Sequence, residues 1–488
     1  MPVITAAIDP VTRIEGHLKI DVQVDTVNGV QQVVDAHAVG TLFRGFEKIL
    51  ENRDPRDASI ITSRICGVCP TSHSVAAVLA LDAACGVGGD TPERTNSRLL
   101  RNLVHGACFL ESHLLHFYLL SLPDYITGLP MAPWLPGWRM DKRLDKAVVE
   151  RFRGNYLKAV EQRRNAHEMG AIFGGKLPHT PGYLAGGFTA VPSANDQALF
   201  IGYLNGLIGF IRDVYLPDMD LLGSLYADYF QIGKGYGRLL SFGVFEQDNG
   251  ASPALLLQSG RLATEAGGVQ AVNPALITEQ VTYSWYEDSQ NNLHPSVEDT
   301  RPISPKGKAY SWLKAPRYDG LAYECGPLAR MVVSGQYPYS VSVMDRHRAR
   351  AREALLLANA MLGWANDLLV GNSAYTPCDL PVAVTTAAGL TEAPRGALGH
   401  WVKIRDQKIA QYQVITPTCW TISPRDTAGN RGPLEQALIG TPVANVDQPI
   451  EVLRVVHSVD PCLDCATHVM RAGAGAKIHA LGALPGRK

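Results

Sequence analysis

The sequence predicts an α+β protein: a mainly α-helical bundle core, an N-terminal β-hairpin region and small peripheral sheets. Three observations carry that reading. Apolar residues recur at helical spacing through long stretches between Ser74 and Leu216 and again from Arg346 to Leu369. The first forty or so residues alternate apolar and polar side chains at period two instead. Between 232 and 345, short runs of Gly, Pro, Tyr and Ser break any long period, which predicts irregular structure with small strands.

Taken in order, "HLKIDVQVD" and "VQQVVDAHAVG" flank Asn28-Gly29, a pair suited to a tight hairpin turn. "SVAAVLALDAAC" has helical spacing, and "NSRLLRNLVHGACFLESHLLHFYLLSL" continues as a long helix that is apolar on most faces and so belongs in a core. Further helices are readable at "DKAVVERFRGNYLKAVEQRRNAHEMGAIF", "ANDQALFIGYLNGLIGFIRDVYL" and "RHRARAREALLLANAMLGWANDLL". No linker, repeat or low-complexity tract marks a boundary. The expected organisation is one large domain, 1–468: a β-rich segment 1–45, a helical core at about 70–231 and 346–372, an irregular segment 232–345 and a C-terminal segment 373–468. Residues 469–488 carry four basic residues, no acid and much Gly and Ala, and read as a detachable extension.

Composition excludes several classes. A formal net charge of -1, with 19% charged residues, offers no basic surface for nucleic acid. Polar residues interrupt the apolar runs before the roughly 20 needed to cross a bilayer, so no direct membrane span is expected. The N-terminus lacks the basic stretch and apolar core of a signal peptide, which places the chain in the cytoplasm or at a membrane through partner subunits; export with a signal-bearing partner is the alternative.

Nine cysteines are too few for a disulfide scaffold. Cys85, Cys108, Cys325, Cys378 and Cys419 stand alone and read as small hydrophobes. The other four form two Cys-x-x-Cys pairs, in "RICGVCPTSH" (Arg64 to His73) and "DPCLDCATH" (Asp460 to His468). Thiolate and imidazole suit late first-row metals, and two intervening residues let both sulfurs of a pair converge on one centre. Structural zinc sites recruit pairs about 15 to 20 residues apart, far closer than these. A catalytic or redox metal centre is the favoured reading and structural zinc the bland one.

With both motifs in hand, the chain resembles the large, catalytic subunit of nickel-iron hydrogenases. The family's first motif, Arg-x-Cys-Gly-x-Cys-x-x-x-His, and its last, Asp-Pro-Cys-x-x-Cys-x-x-His, are matched at Arg64–His73 and Asp460–His468. "DPVTRIEGHLKI", "TLFRGFE", "SHLLHFY", "EAPRGALGHW" and "YQVITPTCWTISPRD" extend the likeness in order along the whole chain.

The resemblance implies that Cys66 and Cys462 are terminal thiolates on nickel. Cys69 and Cys465 would bridge nickel to an iron carrying carbon monoxide and two cyanides. It implies that Glu15 relays the proton from the Cys462 sulfur, the reading without the family being a salt bridge to Arg13. Arg395 would stand over the metals, held by Asp124 and Asp460; Thr418 would donate to a cyanide; His73 would hydrogen-bond a bridging sulfur. Glu47, the carbonyl of Val414 and His468 would hold Mg2+ or another divalent ion. His113, His116 and His179 are given only structural or proton-path roles.

The implied reaction is heterolytic oxidation of H2 to protons and electrons, with the uptake direction favoured. No ligand pattern for an iron-sulfur cluster remains once the four cysteines are used, so electrons must leave through an iron-sulfur small subunit, in a heterodimer or higher oligomer. Nickel-insertion factors and a maturation protease cutting between His468 and Val469 are further implied partners. A regulatory H2 sensor acting through a kinase is the rival, disfavoured because His73, Val68 and Leu120 keep the pattern of catalytic members. The related respiratory-complex subunit lacks the four cysteines.

Overall fold

The structure, a computed structural model, describes residues 3–466 apart from 136, 139, 140 and 142, with backbone alone for 465 and 466. The N-terminal hairpin forms as its alternation predicts. Leu18–Val27 pairs antiparallel with Val30–Gly40 through a two-residue turn in which Asn28 and Gly29 both take positive φ. Leu18, Ile20, Val22 and Val24 face inward. Ile4–Ile8 adds a third strand that the sequence reading passed over.

The helices begin where side chains can satisfy their free N–H groups. Thr91 caps Pro92–Leu114, Asp145 caps Lys146–Gly174, a Ser193/Asp196 capping box opens Ala194–Phe210, and Ser342 caps Val343–Asn366. Pro92–Leu114 is buried almost throughout and runs on into a π-helical segment, Leu115–Ser121. It packs against Lys146–Gly174 and Val343–Asn366, which also contact Ala194–Phe210, so these helices form the central bundle.

The runs around Ala194 join into one helix, Ala194–Leu225, 32 residues long with hydropathy 1.3 in its most apolar window. By length and composition it reaches membrane-spanning size, which the sequence reading did not expect of any run. Arg212, Asp213, Asp218 and Asp220 lie along it.

The segment 232–345 holds the small paired strands expected of it, with a short buried helix, Pro327–Val333. Beyond residue 373 the structure adds a three-stranded antiparallel sheet, Thr385–Ala393, Gly396–Arg405 and Lys408–Ile415. This sheet is central rather than peripheral: its middle strand is buried on both faces along most of its length, and its first strand packs on the Pro70–Cys85 helix. Gly389 permits that approach, because a Cβ there would lie 2.0 Å from the Ala76 carbonyl oxygen.

Candidate metal centre

Cys66 follows the 3₁₀ turn Ser63–Ile65, and Cys69 is the N-cap of the Pro70–Cys85 helix. Pro70 in the first turn suits a helix start, since its missing N–H would have no partner there. The Cys66 sulfur accepts from Cys69 N–H at 3.1 Å and Val68 N–H at 3.3 Å. Those donors favour the Cys66 thiolate, and the positive end of the helix dipole favours that of Cys69.

The C-terminal motif reaches the same place by a backbone stitch. Leu463 N–H donates to the Glu15 carbonyl at 2.7 Å and Glu15 N–H to Pro461 at 3.3 Å, so Glu15 and Cys462 form a parallel bridge. Gly16, at φ +80°, is needed beside it, because a Cβ would fall 2.4 Å from Asp464 N. The Glu15 side chain turns the other way and accepts from Gly67 N–H at 3.1 Å. One residue thus ties both cysteine motifs together.

Arg44 does so again: its guanidinium donates to the carbonyls of Ile65 and Asp464, one in each motif. The sequence reading quoted "TLFRGFE" but gave Arg44 no part. An arginine reaching two backbone carbonyls has no local sequence mark.

The result is a buried cluster of sulfurs. Cys66 Sγ lies 3.0 Å from Cys69 Sγ and 3.3 Å from Cys462 Sγ, and Cys69 and Cys462 are 4.0 Å apart. Tetrahedral thiolate ligation at about 2.3 Å per bond sets sulfur spacings near 3.8 Å; the Cys69–Cys462 pair is close to that and the two Cys66 pairs are tighter, and the chemistry of three buried sulfurs suits a soft or borderline metal. Cys465 lies in the backbone turn Leu463–Ala466 beside them. Its side chain, and all of His468, fall outside the described residues.

Arg395 stands at the two-residue tip of the hairpin between Ala393 and Gly396. Its Nε is 3.0 Å from Asp460 Oδ1, without the alignment of a hydrogen bond, and its Nη1 donates to Ser112 Oγ at 3.4 Å. Nε and Nη2 have no hydrogen-bond acceptor among the described residues. Burial pulls the guanidinium pKa down, but Asp460 and the sulfurs of Cys462, Cys69 and Cys66 more than reverse this and hold it well above the usual value. Thr418, in the short Pro417–Thr421 helix, accepts from Cys462 N–H at 3.2 Å, which leaves its own hydroxyl proton for an acceptor.

Asp124 departs from expectation. It binds Arg13 Nη2 and His457 Nδ1, both at 2.5 Å, rather than Arg395. Burial would raise its pKa, yet Arg13 and His457 bring it down to about 2. The same pair removes the Glu15–Arg13 alternative, since Arg13 is taken by Asp124. Burial, aided by Cys66 and opposed by the Gly67 N–H, raises the Glu15 carboxyl to about 7.

His73 is fully buried and its pKa falls to about 4 through burial. Its Nδ1 lies 3.1 Å from His400 Nε2, and His400 Nδ1 lies 2.8 Å from the Tyr412 hydroxyl. His73 Nε2 has no partner among the described residues. His113 pairs with Glu353 at 2.9 Å, His116 with the His457 carbonyl at 2.7 Å and His179 with the Ser63 carbonyl at 3.0 Å.

Glu47 opens the Phe46–Leu50 helix yet is buried, and accepts from Thr300 at 2.9 Å and from Val414 N–H. Lys314, Glu279 and Glu298 are buried with it: Lys314 Nζ is 3.2 Å from Glu279 and pairs with Glu298. Burial raises the Glu47 carboxyl. Burial and Glu279 raise Glu298 well above the carboxylate range.

Comparison with known proteins agrees with this geometry. A family model described as nickel-dependent hydrogenase matches residues 44–132 and 141–468, and one described as HoxL-like matches 5–35. The periplasmic [NiFeSe] hydrogenase large subunit of Desulfomicrobium baculatum is 41% identical over 96% of this chain and 96% of its own. The uptake hydrogenase large subunit of Bradyrhizobium diazoefficiens is 35% identical over 95% of each. The reduced Ni-Fe-Se hydrogenase of D. vulgaris Hildenborough superposes with a TM-score of 0.90 at 41% identity, covering 96% of this chain and 100% of that one.

Proposed function

Because this chain belongs to the nickel-dependent hydrogenase family, as a large subunit that oxidises H2 together with a small subunit, we propose that Cys66, Cys69, Cys462 and Cys465 hold a nickel-iron centre. The observation that carries the proposal is the meeting of three sulfurs from opposite ends of the chain beneath a buried guanidinium. When bound, that centre supplies the two-electron redox site at which H2 is split heterolytically.

The chain's own groups do the rest. Cys66 and Cys462 would hold nickel through their thiolates, and Cys69 and Cys465 would hold both nickel and iron. Arg395 keeps a fixed positive charge over the pocket, with Nη2 offered to a cyanide acceptor and Asp460 holding its other edge. The Thr418 proton serves a second acceptor. Glu15, whose backbone is bridged to Cys462 and whose carboxyl accepts from Gly67 N–H beside Cys66, would relay the proton from the Cys462 sulfur outward. His73 Nε2 donates to a bridging sulfur and is held in orientation by His400.

Glu47, the Val414 carbonyl and His468 hold Mg2+ or a similar ion. In support, Glu47 is fully buried and burial raises its carboxyl, a cost that a bound divalent cation would offset. An iron-sulfur small subunit docks on the face near Glu15 and the two motifs. Nickel-insertion factors load the site, a protease then cuts after His468, and the folded pair is exported, as the name of the periplasmic relative suggests.

The decisive experiment is the infrared spectrum of metal-replete protein. One carbonyl band and two cyanide bands are expected where amino acids do not absorb, and a blank window with zinc as the sole metal would return the structural-zinc reading. Intact mass of the nickel-loaded chain tests the cleavage, since retention of all 488 residues contradicts it.

A further inference from the structure

Tyr412, His400 and His73 form one line of buried hydrogen bonds. His400 lies on the strand Gly396–Arg405 and Tyr412 on its neighbour Lys408–Ile415. His400 pairs directly with Val414, so Tyr412, two residues from Val414, is its diagonal neighbour on the same face. The Tyr412 hydroxyl is 2.8 Å from His400 Nδ1, with the rings edge to face at 78°. His400 Nε2 is 3.1 Å from Nδ1 of His73, which stands one helical turn after Cys69. All three side chains are buried, and no carboxylate among the described residues pairs with either imidazole, so both rings are neutral and each carries a single N–H.

That leaves two ways to place the protons. In the first, the Tyr412 O–H donates to His400 Nδ1, His400 Nε2–H donates to His73 Nδ1, and His73 holds its own proton on Nε2, which has no acceptor among the described residues. In the second, each bond reverses: the Tyr412 proton, which has no other acceptor among the described residues, is stranded in the core, and His73 Nε2 keeps a bare lone pair. Stranding a buried hydroxyl proton and setting a lone pair towards thiolates both cost free energy, so the first arrangement prevails. We propose that Tyr412, acting through His400, is a positioning residue that fixes His73 as the Nε2–H tautomer, so that a metal-bridging sulfur always meets a donor. The proposal rests on the nickel-iron reading for what the sulfurs hold, and goes beyond it in naming the group that sets the donor.

The test is heteronuclear NMR of the imidazoles in isotope-labelled holoenzyme, with His73 and His400 assigned from the signals lost in His73→Gln and His400→Gln protein. Both rings are expected as neutral Nε2–H tautomers in the unmutated chain, and a His73 protonated on Nδ1 would overturn the proposal. In Tyr412→Phe protein, which keeps the ring and loses only the hydroxyl, part of the His73 population should move to the Nδ1–H form. The infrared carbonyl and cyanide bands should then shift together to lower wavenumber, because a bridging thiolate that loses its donor pushes more electron density onto iron. H2-dependent dye reduction should fall about 10-fold with nickel and iron content unchanged. Tautomers and band positions identical to those of the unmutated chain would reduce Tyr412 to a space-filling role. Absence of every carbonyl and cyanide band from the unmutated protein would overturn the nickel-iron reading instead, while the tautomers, read without the metals, still decide whether Tyr412 sets His73.

Discussion

Arg330 and Arg395 are both sealed from solvent and both serve the hairpin tip at Pro394–Arg395, yet their bonding differs. Arg330 uses all five N–H groups, on Glu353 twice, on Glu392, and on the carbonyls of Ala393 and Pro394. Among the described residues Arg395 makes one hydrogen bond, to Ser112, and its close approach to Asp460 lacks alignment. Buried polar groups are almost always satisfied, so an arginine left with donors to spare is set up for something that arrives. Arg330 locks the backbone just before Arg395, and Arg395 offers its charge to the sulfur pocket.

The contrast can be broken or sharpened by experiment. Cys462→Ser removes what Arg395 faces; nickel and iron content should fall to background by elemental analysis, and H2-dependent dye reduction should vanish. Arg330→Met leaves Glu353 and Glu392 buried without their cation and should cost about 3–5 kcal/mol in denaturant unfolding. Arg395→Lys should lower H2-dependent dye reduction about 100-fold, in line with loss of one positioned donor, while stability changes by less than about 1 kcal/mol. A stability loss in Arg395→Lys equal to that of Arg330→Met would erase the distinction.

Acid titration probes the Arg330 side. Burial alone would raise Glu353, but Arg330 and His113 bring its folded pKa to about 2, below the ordinary 4.5. Folding therefore favours the ionised form: its stabilisation is complete above pH 4.5 and is lost as pH falls through 2. Glu353→Gln should lose less stability than the unmutated chain across that window, followed by circular dichroism. The smallest effect is expected for Ser112→Ala, below about 0.5 kcal/mol, because its 3.4 Å contact is long.

Much of this was legible in the chain itself. The hairpin followed from strict alternation around Asn28-Gly29, and the core helices from their period and scarcity of exposed positions. The central sheet was not, because the strand Gly396–Arg405 is buried on both faces and shows none of the alternation that marks a half-buried strand. Asp124 was matched to Arg395 by the motif, whereas Arg13 and His457 reach it first.

The sequence by itself determined the ligand chemistry: two Cys-x-x-Cys pairs, their flanking histidines, and the arginine and glutamate of the surrounding motifs. Residue type and short spacing set which donors exist and which pairs of sulfurs share a centre. Only the tertiary structure decided who meets whom: Glu15 stitched between both motifs, Arg44 clamping their carbonyls, Arg330 satisfied and Arg395 left open. The physical reason is that buried charges and backbone groups are paired by whichever partner the packing brings within about 3 Å, and packing is a property of the whole chain.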